Sequence, residues 1–182
     1  MKNRLGRKEW IDAGLKALSE QGIDSVRIER LAETLGVTKG SFYWHFKNRD
    51  MLLAALLEEW QDRATNDIIA QVEHKGGDAR ARLYSLFIIT MDSNGRLDMA
   101  IRAWATNDPA AQTALSLIDK RRFGYLKSLF TELGFPSDQA TARARLVYTA
   151  HIGQFALGLS PKTQKQQQHE LDSIFEMLVA KA

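Results

Sequence analysis

Apolar residues recur along most of the chain at the three- to four-residue spacing of amphipathic helices. Residues 9–21 place Trp10 and Leu18 on one face, and Ile28 and Leu31 continue the same spacing in the next segment. Alternating runs of Val, Ile and Thr, which are typical of strands, are missing. The pattern therefore predicts an all-α chain of about nine helices without a sheet.

The segment 25–46 has the length pattern of a helix-turn-helix, in which two short helices are joined by a tight turn. The first helix is expected over about residues 27–35, with Ser25 as its N-cap. Gly36 makes the turn, because glycine tolerates the positive φ that ends a helix. The second helix is very short and reaches about Trp44.

A long helix follows and is expected to begin at Asn48, since Asn is a favoured N-cap residue. It is expected to continue to about His74. This boundary divides the chain into an N-terminal three-helix domain, residues 1–47, and a larger helical domain, residues 48–182.

Residues 42–46 read Phe-Tyr-Trp-His-Phe. Successive helical residues turn by about 100°, so five rings in a row cannot all face the core, and two or more must be exposed. Phe42 and Phe46 are expected to fill the three-helix core together with Val37. An exposed Tyr-Trp pair beside cations is costly without a partner, which favours a binding surface over a simple core cluster.

The groups left outside are hydroxyls, cations, a phenol, an indole and an imidazole, which reach phosphate oxygens, base edges and thymine methyls. The chain's charge agrees with a polyanion partner: the first 50 residues hold ten Lys and Arg against seven Asp and Glu, and the rest is balanced. We therefore expect DNA binding by Thr38, Lys39, Gly40, Ser41, Tyr43, Trp44, His45, Lys47 and Arg49.

Residues 37–52, Val-Thr-Lys-Gly-Ser-Phe-Tyr-Trp-His-Phe-Lys-Asn-Arg-Asp-Met-Leu, resemble the signature of the tetracycline-repressor (TetR) family of bacterial regulators. The resemblance extends over about Arg7 to Leu57. It implies an all-helical homodimer in which three N-terminal helices bind the major groove of a palindromic operator. It also implies a larger helical domain that binds a small-molecule effector and dimerises.

The resemblance assigns roles to the exposed residues. Thr38, Lys39 and Ser41 fall on positions that approach bases, Trp44 on one that touches a thymine methyl or a sugar, and Tyr43, His45 and Arg49 on phosphate contacts. One position departs from the family. Many relatives carry Arg three residues before Ala32, where this chain has Glu29, and the nearest cation is Arg27. Arg27 therefore joins the expected DNA contacts.

Aromatic and apolar residues on the inward faces of the middle helices are candidates for an effector cavity. An apolar lining favours a hydrophobic or aromatic effector, with one polar anchor at Arg102. Two alternatives stay open here, because the aromatic residues could be ordinary core and Arg102 could belong to a structural ion pair. The candidate lining residues are Trp60, Phe87, Met91, Arg102, Trp104 and Phe123.

The last two helices carry more apolar surface than one small domain needs. Two such stripes favour pairing with a second copy in a four-helix bundle, although both could also pack wholly within one chain. The residues expected in this homodimer interface are Tyr148, His151, Ile152, Phe155, Leu171, Ile174, Phe175 and Leu178.

Several classes of function are disfavoured. The chain has no Cys, its four His lack metal-ligand spacing, and no paired acid and base or nucleophile triad is visible, so we expect no metal, cofactor or enzymatic activity. No apolar run approaches the roughly 20 residues that span a bilayer, and no signal peptide is visible, so a soluble, cytoplasmic protein is expected.

The sequence thus predicts a ligand-responsive DNA-binding regulator, in which the effector shifts the long helix that begins at Asn48 and releases a repressor from its operator. Two alternatives stay open. One is an activator or a DNA binder without an effector. The other, from a different class, is an all-helical enzyme or ligand carrier.

Overall fold

The computed structural model describes residues 5–91, 95–159 and 163–181, and these residues form helices joined by short turns. A 3₁₀ turn spans Ile23–Ser25 and a π-helical turn spans Asp62–Asn66. The α-helices are α1 Arg7–Gln21, α2 Ile28–Thr34, α3 Lys39–Phe42, α4 Arg49–Gln61, α5 Asp67–Lys75, α6 Ala79–Met91, α7 Arg96–Ala105, α8 Pro109–Glu132, α9 Ser137–Leu157 and α10 Gln164–Val179.

The predicted long helix exists, and its start is confirmed. Asn48 Oδ1 accepts a hydrogen bond from the Met51 amide at 3.0 Å, so the side chain caps α4. The helix continues from α4 through the π turn into α5, and no sequence pattern signals that turn. Counted as one continuous helix, this segment brings the described chain to nine helices without a strand, which confirms the predicted fold class.

The expected cap of α2 is wrong. Ser25 is buried, and its hydroxyl donates to the carbonyl oxygens of Ala17 at 2.8 Å and Gly22 at 2.6 Å. The residue at the N-cap position is Arg27, which makes no side-chain capping bond. Ser25 therefore ties the turn before α2 back to α1 and does not cap α2.

The N-terminal helices share an aromatic core. Phe42 is fully buried, lies edge-on to Trp10 with ring centroids 5.2 Å apart, and stacks on Phe46 at 5.4 Å. Leu31 of α2 is also buried. Gly36, with a φ of 67°, makes the predicted tight turn between α2 and α3, a conformation that glycine adopts without strain. The helix-turn-helix is thus held by rings that the sequence assigned to its core.

The chain forms two compact units whose limits differ from the predicted division at residue 48. The first unit joins Met1–Arg63 to Arg96–Leu117, so that α4 and α7 pack on α1. The second unit comprises Ala64–Gly95 and Ile118–Ala182. The division into a DNA-binding domain, residues 1–47, and a second domain, residues 48–182, stays a prediction. The first packing unit is larger than this predicted DNA-binding domain, because it also includes α4 and α7.

The second unit has its own core, built from α6, α8, α9 and α10. Leu83 and Phe130 are fully buried there, and Tyr84 and Phe87 of α6 meet the ring of Phe175 edge-on at 5.0 and 5.7 Å. Within the described ranges, no helix combines the length and apolar character that a membrane crossing requires.

Close packing of α1 on α4 depends on the missing side chain at Gly14. A Cβ added there would lie 2.8 Å from one methyl carbon of the fully buried Leu56 and 3.1 Å from the other, so that side chain would have to shift within the core. We expect Gly14→Ala to lower the free energy of unfolding by about 1–3 kcal/mol through overpacking. Thermal or urea unfolding measures this change.

Gly124 provides the matched control, because it is an exposed helical glycine of α8 at which an added Cβ would meet nothing within 4 Å. Gly124→Ala should raise stability by up to about 1 kcal/mol through the higher helix propensity of alanine. Equal effects of the two substitutions would contradict the close contact between α1 and α4.

Candidate nucleic-acid interface

The aromatic run 42–46 divides between the core and the surface. Phe42 and Phe46 are buried, whereas Tyr43 is 53% exposed and Trp44 is 80% exposed. With Phe42 and Phe46 turned inward, the helical rotation carries Tyr43 and Trp44 to the opposite side. The prediction that two or more of these rings are exposed is confirmed.

Most of the predicted DNA contacts around this pair are exposed. Thr38, Lys39, Gly40 and Lys47 lie on the surface, and Ser41 is half-buried. Thr38 occupies the N-cap position of α3, but its hydroxyl makes no capping bond. The α3 region therefore presents hydroxyl, ammonium and indole groups together, as the sequence predicted.

Lys39 is joined to a residue that the sequence did not link with it. Its ammonium group donates to the carboxylate of Glu29 on α2, and both side chains are at least half exposed. The hydrogen bond from Lys39 lowers the pKa of Glu29, and the same bond raises the pKa of Lys39. Both groups are therefore charged at neutral pH, and the pair connects the two helices of the helix-turn-helix.

Arg49 makes contacts inside the protein. Its Nε donates to the Val26 carbonyl oxygen at 2.7 Å, and its Nη2 donates to that of Ile23 at 3.1 Å. The side chain is half-buried, and it fastens the start of α4 to the turn before α2. Arg27 is exposed, and its Nε donates to the Asp24 carbonyl oxygen at 2.9 Å. For both residues a phosphate contact stays a prediction. The structure shows in addition that each side chain donates hydrogen bonds to backbone carbonyl oxygens near the start of α2.

His45 also has an intramolecular partner. Its Nε2 lies 3.0 Å from the carbonyl oxygen of Leu5, and a ring protonated at Nε2 donates to that oxygen. The imidazole is half-buried, so it anchors the segment that precedes α1. The guanidinium of Arg7 lies 5.0 Å from the centroid of the Phe46 ring and helps to hold the same segment.

The six candidate effector-site residues do not fall in one unit. Trp60, Arg102 and Trp104 belong to the first unit, and Phe87 and Phe123 pack against the core of the second. The side chain of Met91 lies outside the described part of the chain. Trp60 and Trp104 are buried, and Arg102 Nε donates to Asp98 Oδ2 at 3.0 Å, the structural ion pair that the sequence left open.

Three of the predicted interface residues are not exposed in the single chain. Leu171, Phe175 and Leu178 are buried in their own chain, the last two within the core of the second unit. Their burial leaves little of these side chains for a second copy to contact, and their place in an interface stays a prediction. Tyr148 is half-buried, and its hydroxyl donates to Asp119 Oδ1 at 2.6 Å. The loss of hydration on burial raises the pKa of Tyr148 to about 12.

The other predicted residues lie on α9 and α10, the two helices that also carry four exposed large apolar side chains, which together we call the α9–α10 surface. Ile174 is exposed, and His151, Ile152 and Phe155 are half-buried. The sequence missed further members of this surface. Their signal was available, because Met177 follows Ile174 by three residues. The exposed large apolar residues on it are Leu146, Leu157, Ile174 and Met177.

Polar contacts at the π turn were also missed. Arg122 Nε donates to the buried hydroxyl of Thr65 at 2.9 Å, and its Nη2 lies 3.2 Å from the carbonyl oxygen of Ala64. Residues 57 or 58 positions apart carry no periodic signal, so sequence reasoning had no means to pair them. In the part of the chain that the structure describes, no group of three metal-ligating side chains comes together.

This arrangement defines the class: an all-helical helix-turn-helix protein with exposed aromatic and cationic groups on its second helix and in the turn that follows it. Residues 11–56 match the family model described as bacterial regulatory proteins of the tetR family. The N-terminal quarter of the chain is thus similar to the corresponding region of tetR-family regulators.

A curated relative is the class D tetracycline repressor protein of Escherichia coli. It is 46% identical over 56 residues, which are 31% of this chain and 26% of that repressor. The match thus spans about a quarter of the length of the relative.

Solved structures show the fold over nearly the whole chain. A TetR transcriptional regulator from Legionella pneumophila has a TM-score of 0.78 at 12% identity, covering 99% of this chain and 100% of that one. A transcriptional regulator from Saccharomonospora viridis, solved in complex with choline, has a TM-score of 0.78 at 18% identity and covers 93% and 95% of the two chains.

The Arg49 contacts lead to a stability prediction. Arg49→Ala removes two hydrogen bonds from a charged donor to backbone carbonyls in a half-buried site, so we expect it to destabilise the protein by about 1–3 kcal/mol. The exposed Lys47 is the control, since Lys47→Ala should leave stability within about 0.5 kcal/mol of wild type. Thermal unfolding of both variants measures the difference, and an unchanged midpoint for Arg49→Ala would exclude the structural role.

Proposed function

We propose that this chain is a ligand-responsive DNA-binding transcriptional regulator that acts as a repressor. The observation that carries the proposal is the exposed Tyr43–Trp44 pair directly after the second helix of the helix-turn-helix, with the Trp44 side chain 80% exposed. Large rings held on the surface by a rigid core are suited to contacts with sugars and thymine methyls. Lys39 and Lys47 supply cations beside them for phosphates and base edges.

The same surface disfavours the alternative of an all-helical enzyme or carrier with a purely structural N-terminal bundle. Such a bundle has no need to expose an indole and a phenol together beside two ammonium groups. Curated relatives with 46% and 30% identity are named as a repressor and a transcriptional regulator, which supports DNA as the partner.

We infer that the chain acts as a homodimer through the α9–α10 surface. Leu146 is 55% exposed, Leu157 is 71% exposed and Met177 is 64% exposed, so each leaves a large apolar side chain in water. Two copies of α9 and α10 would cover these groups in a four-helix bundle. A two-fold dimer would place its recognition helices about 34–36 Å apart, which is one turn of DNA. This spacing predicts a palindromic operator.

The contacts of Arg49 support a mechanical route for release. Arg49 joins the first turn of α4 to the backbone of Ile23 and Val26, so a displacement of α4 moves the turn before the helix-turn-helix. The helix runs on from α4 through the π turn into α5. A ligand that shifts this helix would therefore disturb the spacing of the two recognition helices.

The effector in this proposal is a small, mostly apolar molecule. Of the six predicted residues, Trp60, Arg102 and Trp104, which all belong to the first unit, remain our candidates for its site. The choline bound to the Saccharomonospora viridis regulator supports a small molecule as the class of effector. A screen of small apolar compounds for release of the chain from its selected DNA identifies it.

DNA binding is tested by selecting sites from random duplexes and measuring affinity by fluorescence anisotropy over a range of salt concentrations. We expect log Kd to rise steeply with log salt, because phosphate contacts release counterions. Lys47→Ala should reduce the slope by about one and lower the affinity for all DNA sequences to a similar extent. Trp44→Ala should lower the affinity for the selected site about tenfold or more. The control is Lys16→Ala, which removes an exposed cation of α1 outside the proposed interface and should change neither quantity. A slope near zero for wild type would exclude this function.

The dimer is tested by light scattering after gel filtration at micromolar concentration. Leu146→Glu and Met177→Glu place a charge on a surface that is exposed in one chain but buried in the dimer, so each should give folded monomers. Leu117→Glu makes the same change at a leucine of α8 that is 59% exposed and outside the α9–α10 surface, and it should remain dimeric. A wild-type monomer, or dimers from all three variants, would contradict the interface.

A further inference from the structure

A carboxylate lies on the surface proposed to meet DNA. Glu29 is in the first turn of α2, and its carboxylate accepts a hydrogen bond from the ammonium group of Lys39, the first residue of α3. A carboxylate at this place repels phosphates, so it weakens non-specific binding. Its presence beside the recognition helix therefore needs an explanation.

Fold stability does not supply one. The side chain of Lys39 is 50% exposed and that of Glu29 is 64% exposed, so water screens their attraction. The two helices are already held by the burial of Phe42 and Leu31 and by the turn at Gly36. The ion pair adds little to that packing, but it fixes a donor and an acceptor side by side on the surface.

A donor and an acceptor in contact match one edge of a base pair. In the major groove, guanine O6 is an acceptor and cytosine N4 is a donor, and these two atoms are hydrogen-bonded to each other in the pair. They are therefore separated by a hydrogen-bond distance, as are Lys39 Nζ and the Glu29 carboxylate. The ammonium has three donors and the carboxylate about four acceptor sites, so both keep capacity after pairing with each other.

We propose that Glu29 and Lys39 together read one G·C base pair in each operator half-site, with Lys39 donating to guanine and Glu29 accepting from cytosine N4. This inference rests on the proposed function. Glu29 thereby becomes a specificity-determining residue, in contrast to the arginine that many relatives carry at this position.

The orientation of the base pair follows from the second contact of Lys39. A T·A pair offers the same order of acceptor and donor through thymine O4 and adenine N6. Beyond O4, however, lies the thymine methyl, whereas guanine offers the N7 acceptor next to O6. Lys39 therefore gains a second hydrogen bond only on guanine, which favours G·C over T·A.

The hydrogen bond between the two residues lowers the pKa of Glu29 and raises that of Lys39, so both charges persist over the ordinary pH range. Arg27 adds a further positive charge that lowers the pKa of Glu29. The carboxylate thus stays an acceptor, which is the form that a cytosine amino group requires.

The test is selection of duplexes from a random library with the full chain, followed by sequencing, for wild type and three variants. Wild type should enrich a palindrome with a G·C pair at one fixed position in each half-site. The Glu29→Ala variant should still bind DNA, but its preference for cytosine over other bases should fall about tenfold, at that position alone. Glu29→Gln should accept adenine there, because an amide can also pair with adenine N6 and N7.

Glu33→Ala is the matched control, since Glu33 is an exposed carboxylate one turn further along α2. It should leave the selected sequence unchanged. Because Glu29 is exposed, its variants should unfold at the wild-type temperature, and this is checked before selection.

The outcomes separate the two claims. If wild type enriches no sequence, the proposed function fails and this inference falls with it. If wild type enriches a palindrome and Glu29→Ala and Glu29→Gln select the same bases with the same strength, the pair is only an interhelical contact and this inference alone is overturned. A T·A pair at the Glu29-dependent position would also overturn it.

Discussion

Burial of Phe42 is the constraint on which the candidate interface depends. The ring is fully enclosed, edge-on to Trp10 and stacked on Phe46. Once the first and last rings of the run 42–46 are fixed in the core, the helical rotation leaves Tyr43 and Trp44 no place except the surface. The exposure of these two rings is thus a consequence of how the core beneath them packs.

The parts of this arrangement that repeat over three or four residues could be predicted from the sequence. The helices, the turn at Gly36, the cap at Asn48 and the outward Tyr43–Trp44 pair all follow from local spacing and residue type. The carbonyl partners of Arg49 are 23 and 26 residues away, and Glu29 is ten residues from Lys39. Those distances are closed by the tertiary fold, which periodicity does not report.

The helix α10 shows a different limit of sequence reasoning. An apolar stripe records that a face is covered, but it does not record by which surface. Leu171, Phe175 and Leu178 turn towards the interior of their own unit, and Ile174 and Met177 remain outside on an adjacent face. The stripe is wide because it contains two faces, and residue spacing alone does not distinguish the buried face from the exposed one.

The contacts of the N-terminal cations bear on how the proposed interface would bind. Lys39 is joined to Glu29, Arg49 to two carbonyl oxygens and Arg27 to a third, so these long side chains are held in place by the protein itself. Fixing a free Lys or Arg side chain on binding costs about 0.5–1.5 kcal/mol in lost rotamer freedom. Each cation keeps its charge and has further N–H donors for a ligand. Because its side chain is already ordered in the folded protein, less rotamer freedom is lost on binding. A net charge of only +3 is then compatible with selective DNA binding. The positions of the cations, more than their number, determine which arrangement of phosphates and bases they can contact.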